Sequence, residues 1–274
     1  MSEGSFIDRV AVFFRKKETI KQPVKEPQKK VEQTPGTIVG DVMIGKIDPK
    51  TLTKEQFDTS NELIFHGANK AFTYSHTGEF DSSQSANNNP NDMGAGFYAT
   101  DNYEQAVNYS QVRARITHTT PAVYSFLPFE AKMLDARDST NTDYHGTLPS
   151  DFVKEWVNFL EASLTNDKYF SEMSPSGAAM VKEGIKEQFL DRLKSDISQG
   201  RPIQIRGDKQ NPGIFNEYRN GLIDDKFRDF MLSKGYDGMI YREAGEGEGG
   251  KDLTGYVFYN PHAIDTFEGW QKRK

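Results

Sequence analysis

The sequence predicts an α+β fold, on three observations. Short apolar runs of strand character are interrupted by helical stretches, without the regular βα alternation of a doubly wound sheet. At 274 residues the chain is long enough to bury a sizeable core. An N-terminal segment of different composition stands apart from the rest: between Arg15 and Lys30 seven Lys/Arg face two Glu, with Pro23 and Pro27 and little to bury. The expectation is a short helix and basic flexible arm in residues 1–38 and a single domain in residues 39–274.

The stretch from Arg15 to Lys30 carries about +5 and leaves the rest of the protein near −11 within a formal total of −6. Such a body is unsuited to wrapping a nucleic acid backbone, although a local basic patch stays open. The absence of cysteine excludes disulfides, thiolate metal sites and thiolate nucleophiles without fixing a compartment. No run approaches the roughly 18 apolar residues of a membrane helix, so no transmembrane segment is expected. The protein is expected to be soluble, either cytoplasmic in the producing cell or delivered into a target cell. In residues 5–17, Phe6, Ile7, Val10, Phe13 and Phe14 follow helical spacing among Asp8, Arg9, Arg15, Lys16 and Lys17. This pattern suits a docking helix, or a contact with a partner or a membrane surface. It does not suit a secretory signal, because the positive charges follow the apolar run.

Along the domain, Val39 to Ile47 is rich in β-branched residues and reads as a strand ended by the turn Asp48-Pro49-Lys50. Lys54 to Ser60 reads as a short helix. Leu63-Ile64-Phe65 forms a strand that delivers His66 to its end. Ser75 to Asp92 is a long polar segment, a surface loop or disorder more readily than a lid. Gly96 to Ala99 is a second short strand. Asp101 is placed to cap a helix from Tyr103 to Gln111, with Glu104 completing a capping-box pattern. Ala122 to Phe129 reads as a core strand and Lys132 to Asp135 as a second edge.

Ser150 to Leu164 places Phe152, Val153, Trp156, Phe159, Leu160 and Leu164 on one side of a helix. Gly177 to Ser198 carries Met180, Ile185, Phe189, Leu190, Leu193 and Ile197. Asp224 to Lys234 is a helix closed by Gly235. Tyr236 to Tyr241, a charged glycine-rich loop from Arg242 to Gly250, the strand Gly255 to Tyr259 and the turn Asn260-Pro261 complete the chain. There are no internal repeats.

The residues able to carry chemistry are few. His66 at a strand end is followed by Gly67, whose missing side chain permits close approach of a ligand, and one such residue can exchange two hydrogen bonds with a flat carboxamide. Phe97 and Tyr98 alternate, so one faces the core and the other whatever cleft His66 faces. If the following helix folds back over the strand, Tyr98 and Tyr109 bracket an aromatic ring. Glu243, Glu246 and Glu248 lie among Gly245, Gly247, Gly249 and Gly250, where a solvated turn is the plain reading and a carboxylate reaching the sheet edge is the functional one. Gly94-x-Gly96 is too short for a dinucleotide fingerprint. His76, His118, His145 and His262 are dispersed and assemble no ligand set, so no metal is expected.

Ile64-Phe65-His66-Gly67, Gly96-Phe97-Tyr98-Ala99-Thr100-Asp101 with Ala106 and Tyr109, and Gly235 to Tyr241 with Glu246 and Tyr256 to Ile264 occur in an order that resembles the H-Y-E class of ADP-ribosyltransferases. This class holds the diphtheria-toxin-like and poly(ADP-ribose) polymerase-like enzymes, and the C-terminal part is most similar to bacterial and phage-encoded members. The resemblance implies an ADP-ribosyltransferase-like split β-sandwich and NAD as co-substrate, without a metal. It implies that His66 bonds a ribose, Gly67 holds the carboxamide, and Tyr98 and Tyr109, with Phe97 beside them, sandwich the nicotinamide. Glu246, preferred to Glu248 and Glu243, would stabilise the ribose as the glycosidic bond breaks, so that His66, Tyr98 and Glu246 form the catalytic set. The implied activity is mono-ADP-ribosyl transfer, as in a toxin or effector, to a macromolecular acceptor, protein before nucleic acid. NAD glycohydrolysis and an inactive NAD-binding module are the alternatives. The chain departs from the pattern at Thr254-Gly255, where many members carry the glutamate, and at Ala106, where polymerases carry serine.

Overall fold

The computed structural model describes residues 40–69, 94–137, 146–166, 168–171, 173–201, 203–205, 213–214, 221–244 and 252–273. The chain divides into two units, Met1–Glu32 and Gln33–Lys274, and every described residue belongs to the second. The expected arm and the segments at 5–17 and 75–92 lie outside the described residues.

The described part is a mixed α+β fold built on an eight-stranded curled sheet. Its strands are β1 (Gly40–Ile44), β2 (Ile64–Ala68), β3 (Phe97–Thr100), β4 (Ala122–Pro128), β5 (Ala131–Asp135), β8 (Gly238–Ala244), β9 (Asp252–Phe258) and β10 (Ile264–Asp265). Their spatial order is β1-β5-β8-β9-β3-β2-β4-β10. β5 and β8 run parallel, and the other neighbours are antiparallel. Two further strands, β6 (Thr147–Leu148) and β7 (Ile203–Gln204), form a separate pair.

Short helices α1 (Lys54–Asp58) and α4 (Lys168–Ser171) join larger elements, and two longer helices matter most for the site. α2 (Tyr103–Thr117) packs on β2, β3 and β4, while α3 (Ser150–Asn166) packs against α6 (Asp191–Ser198) and α7 (Gly221–Ser233) in a helical layer. Val153, Trp156, Leu160 and Leu164 of α3 are buried as their spacing predicts, together with Phe227, Phe230 and Met231 of α7. This cluster includes Leu134, Met239, Tyr241, Val257 and Tyr259 from one face of the sheet. The other face supplies a second cluster containing Ile64, Phe97, Ala99, Phe126, Met133, Ile240 and Phe258. Each large side chain so enclosed contributes about 1.5–3 kcal/mol. α8 (Phe267–Lys272) closes the end of the sheet, its Trp270 indole N–H donating to the Leu127 carbonyl at 3.0 Å.

Several local expectations are corrected. Asn102, not Asp101, caps α2, its side-chain oxygen accepting from the Gln105 N–H at 3.0 Å. The capping box built on Asp101 therefore does not form. α2 also runs to Thr117 rather than Gln111, since nothing in Val112 to Ile116 breaks a helix, and it ends where His118 turns left-handed at φ 53°. β5 is no edge: it is flanked by β1 and β8. The helical region expected over 177–198 is present and consists of three contiguous segments, α5 (Pro175–Ile185), a π-helical turn (Lys186–Leu190) and α6. Met180, expected on the apolar side, is 73% exposed. The loop expected from Arg242 starts later, because Arg242, Glu243 and Ala244 pair with Thr254, Leu253 and Asp252 as the outer rungs of the β8–β9 hairpin.

Candidate functional site

The candidate residues gather around β3, where the sheet is least continuous. β2 pairs with β4 over its whole length but with β3 only at Phe65↔Thr100, so beyond Phe65 the two strands are no longer laddered together. His66 spans that seam. Its Nδ1 lies 2.6 Å from the carbonyl oxygen of Tyr98, an acceptor, so the nitrogen donates. The neutral ring then carries its lone pair on Nε2. Burial pushes the imidazole pKa below 6.5, against the opposing pull of the Tyr98 carbonyl. The ring also lies 4.5 Å, centroid to centroid, from Phe97, tilted by 32°.

Residues paired across a ladder share a face, and neighbours along a strand alternate. Phe97 therefore faces the second cluster with His66, and Tyr98 faces the opposite side. On that side Tyr98 packs against the helical core, and its hydroxyl donates to the Gly94 carbonyl at 2.7 Å. Phe65 and Thr100 share the face of Tyr98, and Phe65 meets Tyr103 of α2 edge-on at 5.4 Å. α2, carrying Tyr109, thus lies over the Tyr98 face, in line with the expected fold-back. Tyr98 meets His66 through its main chain rather than through its ring.

The missing side chain of Gly67 is required by packing. A Cβ at this position would lie 2.0 Å from the Ala106 carbonyl oxygen and 3.0 Å from the Ser110 nitrogen, so the missing side chain admits the backbone of α2. Ala106 is fully buried at this contact. In the strand itself Gly67 pairs with Val123 of β4.

On the Tyr98 face, alternate rungs of the β8–β9 hairpin present Met239, Tyr241 and Glu243. The Tyr241 ring covers Gly255, where a Cβ would lie 2.3 Å from the phenol Cζ. Gly255 is thus roofed by an aromatic ring. Glu243 reaches α2: its Oε1 accepts the Tyr109 hydroxyl at 2.6 Å, while the Tyr109 residue is 39% exposed. From composition alone Glu243 is one of three loop acids, and Tyr241 is only the end of an apolar run. The β8 alternation, extended from Met239 through Tyr241, is the signal that puts both on the face of Tyr98. Glu246 and Glu248 lie outside the described residues.

On the opposite face, Asp135 grips Arg137 through both carboxylate oxygens at 2.8 and 2.6 Å, which raises the guanidinium pKa. Tyr256 nearby has its phenol pKa raised by burial and then by Asp101. A groove of about 360 Å³ on the helical layer, lined by Glu155, Asn158, Phe159, Phe230, Ser233 and Lys234, includes none of the candidate residues. Among the described residues no helix is long and apolar enough to cross a membrane, and no group of three or more His, Asp or Glu is placed to hold a metal ion.

No family model matches the chain, and no match is found among curated proteins or among solved structures.

Proposed function

We propose that the chain is a mono-ADP-ribosyltransferase that uses NAD as co-substrate and modifies a macromolecular acceptor, with its curled sheet as a variant of the split β-sandwich of that class. The observation that carries the reading is the seam between β2 and β3. There the H-G and F-Y motifs, distant in sequence, meet through the 2.6 Å bond from His66 Nδ1 to the Tyr98 carbonyl, with Tyr98 on the face covered by the helix that bears Tyr109.

The donor set suits a nicotinamide riboside. A neutral His66 with an acceptor Nε2 takes a ribose hydroxyl, and burial favours that neutral form. The Tyr98 and Tyr109 rings offer flat faces for a pyridinium, which carries its positive charge to an electron-rich surface. The carboxamide falls to the main chain of Gly67, in the plane of the strand, because the side-chain direction at Gly67 is taken by α2. Phe97 acts indirectly, by backing the His66 ring.

NAD supplies an ADP-ribosyl group with nicotinamide as leaving group. The protein's task is to hold the ribose and to place negative charge where positive charge develops, which is electrostatic catalysis. Glu246 is assigned that charge. With Tyr241 over Gly255, the acid comes from the glycine-rich segment before β9 instead of from the strand itself. The test is nicotinamide release from NAD by the full chain and by Glu246→Gln, with products separated so that hydrolysis to free ADP-ribose is told apart from transfer.

A further inference from the structure

We infer that Glu243 is a positioning residue that orients Tyr109, and not the carboxylate that carries charge in the reaction; the inference rests on the NAD reading above. Four observations converge on it. Glu243 sits on a laddered rung of the hairpin, opposite Leu253, so its backbone is fixed by the sheet. Its side chain shares the face of Tyr241 and, through β9, of Tyr98. Its Oε1 accepts the Tyr109 hydroxyl at 2.6 Å, the short distance of a charge-assisted O–H···O⁻ bond. Its Oε2 is shielded from solvent, so neither oxygen stands open to a ligand.

Tyr109 needs such a partner. Tyr109 precedes buried Ser110 on α2 and is 39% exposed, and the bond to Glu243 restricts how its ring turns. An exposed ring free to turn forfeits part of its stacking energy to the entropy of being ordered, whereas one held in advance does not. The bond joins residues 134 positions apart and ties α2 to the last rungs of β8, just before the segment that carries Glu246 and Glu248. Glu243 thereby fixes the orientation of one wall of the ring site.

Removing the acceptor and removing only its charge separate the two roles. A glutamine keeps an oxygen that accepts from Tyr109, while alanine does not. For a positioning residue, Glu243→Ala and Tyr109→Phe each weaken NAD affinity, read by titration calorimetry, by about three- to tenfold, and for Glu243→Ala the loss falls on affinity while the rate constant of nicotinamide release changes by less than about threefold. Glu243→Gln recovers most of the affinity that Glu243→Ala loses. The double variant Tyr109→Phe/Glu243→Ala is no worse than either single one, both in NAD affinity and in urea unfolding. A fall of about a hundredfold or more in release by Glu243→Gln at unchanged affinity makes Glu243 the charge-bearing group and overturns the inference. Additive losses in the double variant also overturn it. If the wild-type chain binds no NAD, the enzymatic reading fails and the role falls with it, and non-additive unfolding then marks a structural tie alone.

Discussion

His66 and Tyr98 meet as ring nitrogen and main-chain carbonyl at 2.6 Å, across the place where β2 and β3 part. The bond fixes the tautomer of the histidine from a strand whose side chains face both ways, so the two motif residues act on one seam from opposite faces of the sheet.

A pH dependence follows. Folding lowers the His66 pKa, so the unfolded chain binds the proton more readily as pH falls through 6.5. The contribution of the neutral ring is present above that value and is lost as pH drops toward the depressed folded value. Each tenfold by which folding weakens proton binding corresponds to about 1.4 kcal/mol. Urea unfolding at about pH 7.5 and about pH 5 should show a larger loss for the wild type than for His66→Asn. Equal losses would mean that the imidazole is not held neutral by the fold.

Gly67 is expected to tolerate no side chain. Gly67→Ala sets a methyl group 2.0 Å from the Ala106 carbonyl, where backbone, not a flexible side-chain tip, must yield. A loss of about 2–3 kcal/mol is expected from overpacking, read as a lower urea midpoint at unchanged slope. Unchanged stability would show that α2 does not lie against this strand.

A chain beginning at Gln33 should unfold cooperatively in calorimetry, since the second unit holds β1 and the Asp41 carboxylate that accepts from the Tyr236 hydroxyl at 2.6 Å. Burial and then the hydrogen bond to Asp41 push the Tyr236 pKa up to about 12. Loss of a cooperative transition on truncation would make residues 1–32 part of the domain.

The elements legible in the sequence are those with strong local patterns. The α3 stripe at Val153, Trp156, Leu160 and Leu164 and the run before His66 are visible because burial imposes a period on sequence. The cap of α2 is displaced by one residue from its expected place because Asp101 and Asn102 are both competent acceptors, and only backbone geometry selects Asn102. The length of the β8–β9 hairpin is hidden because Arg242 to Ala244 and Asp252 to Thr254 are held by cross-strand pairing, not by apolar content. For the same reason Glu243 reads as a loop acid. The use of Gly67 depends on which helix passes over it, which no local pattern encodes. Its neighbours Ala106 and Ser110, four residues apart on α2, record that packing only after the helix is laid on the sheet.

If the Tyr98 ring stacks on nicotinamide, Tyr98→Ala weakens NAD binding by about 1 kcal/mol, roughly fivefold in Kd, while Tyr98→Phe, which keeps the ring and loses the hydroxyl bonded to Gly94, stays near the wild type. Titration calorimetry on folded variants decides it, and equal affinity for alanine and tyrosine at this position would remove the ring from the site.

Nicotinamide release from NAD by the full chain, with Glu246→Gln alongside and NAD affinity determined for both, bears most directly on the proposed transferase activity. Release by the wild type is expected, with a fall of about 10²–10³ in the variant and little change in affinity. Wild-type protein that binds no NAD and releases no nicotinamide would overturn the proposal.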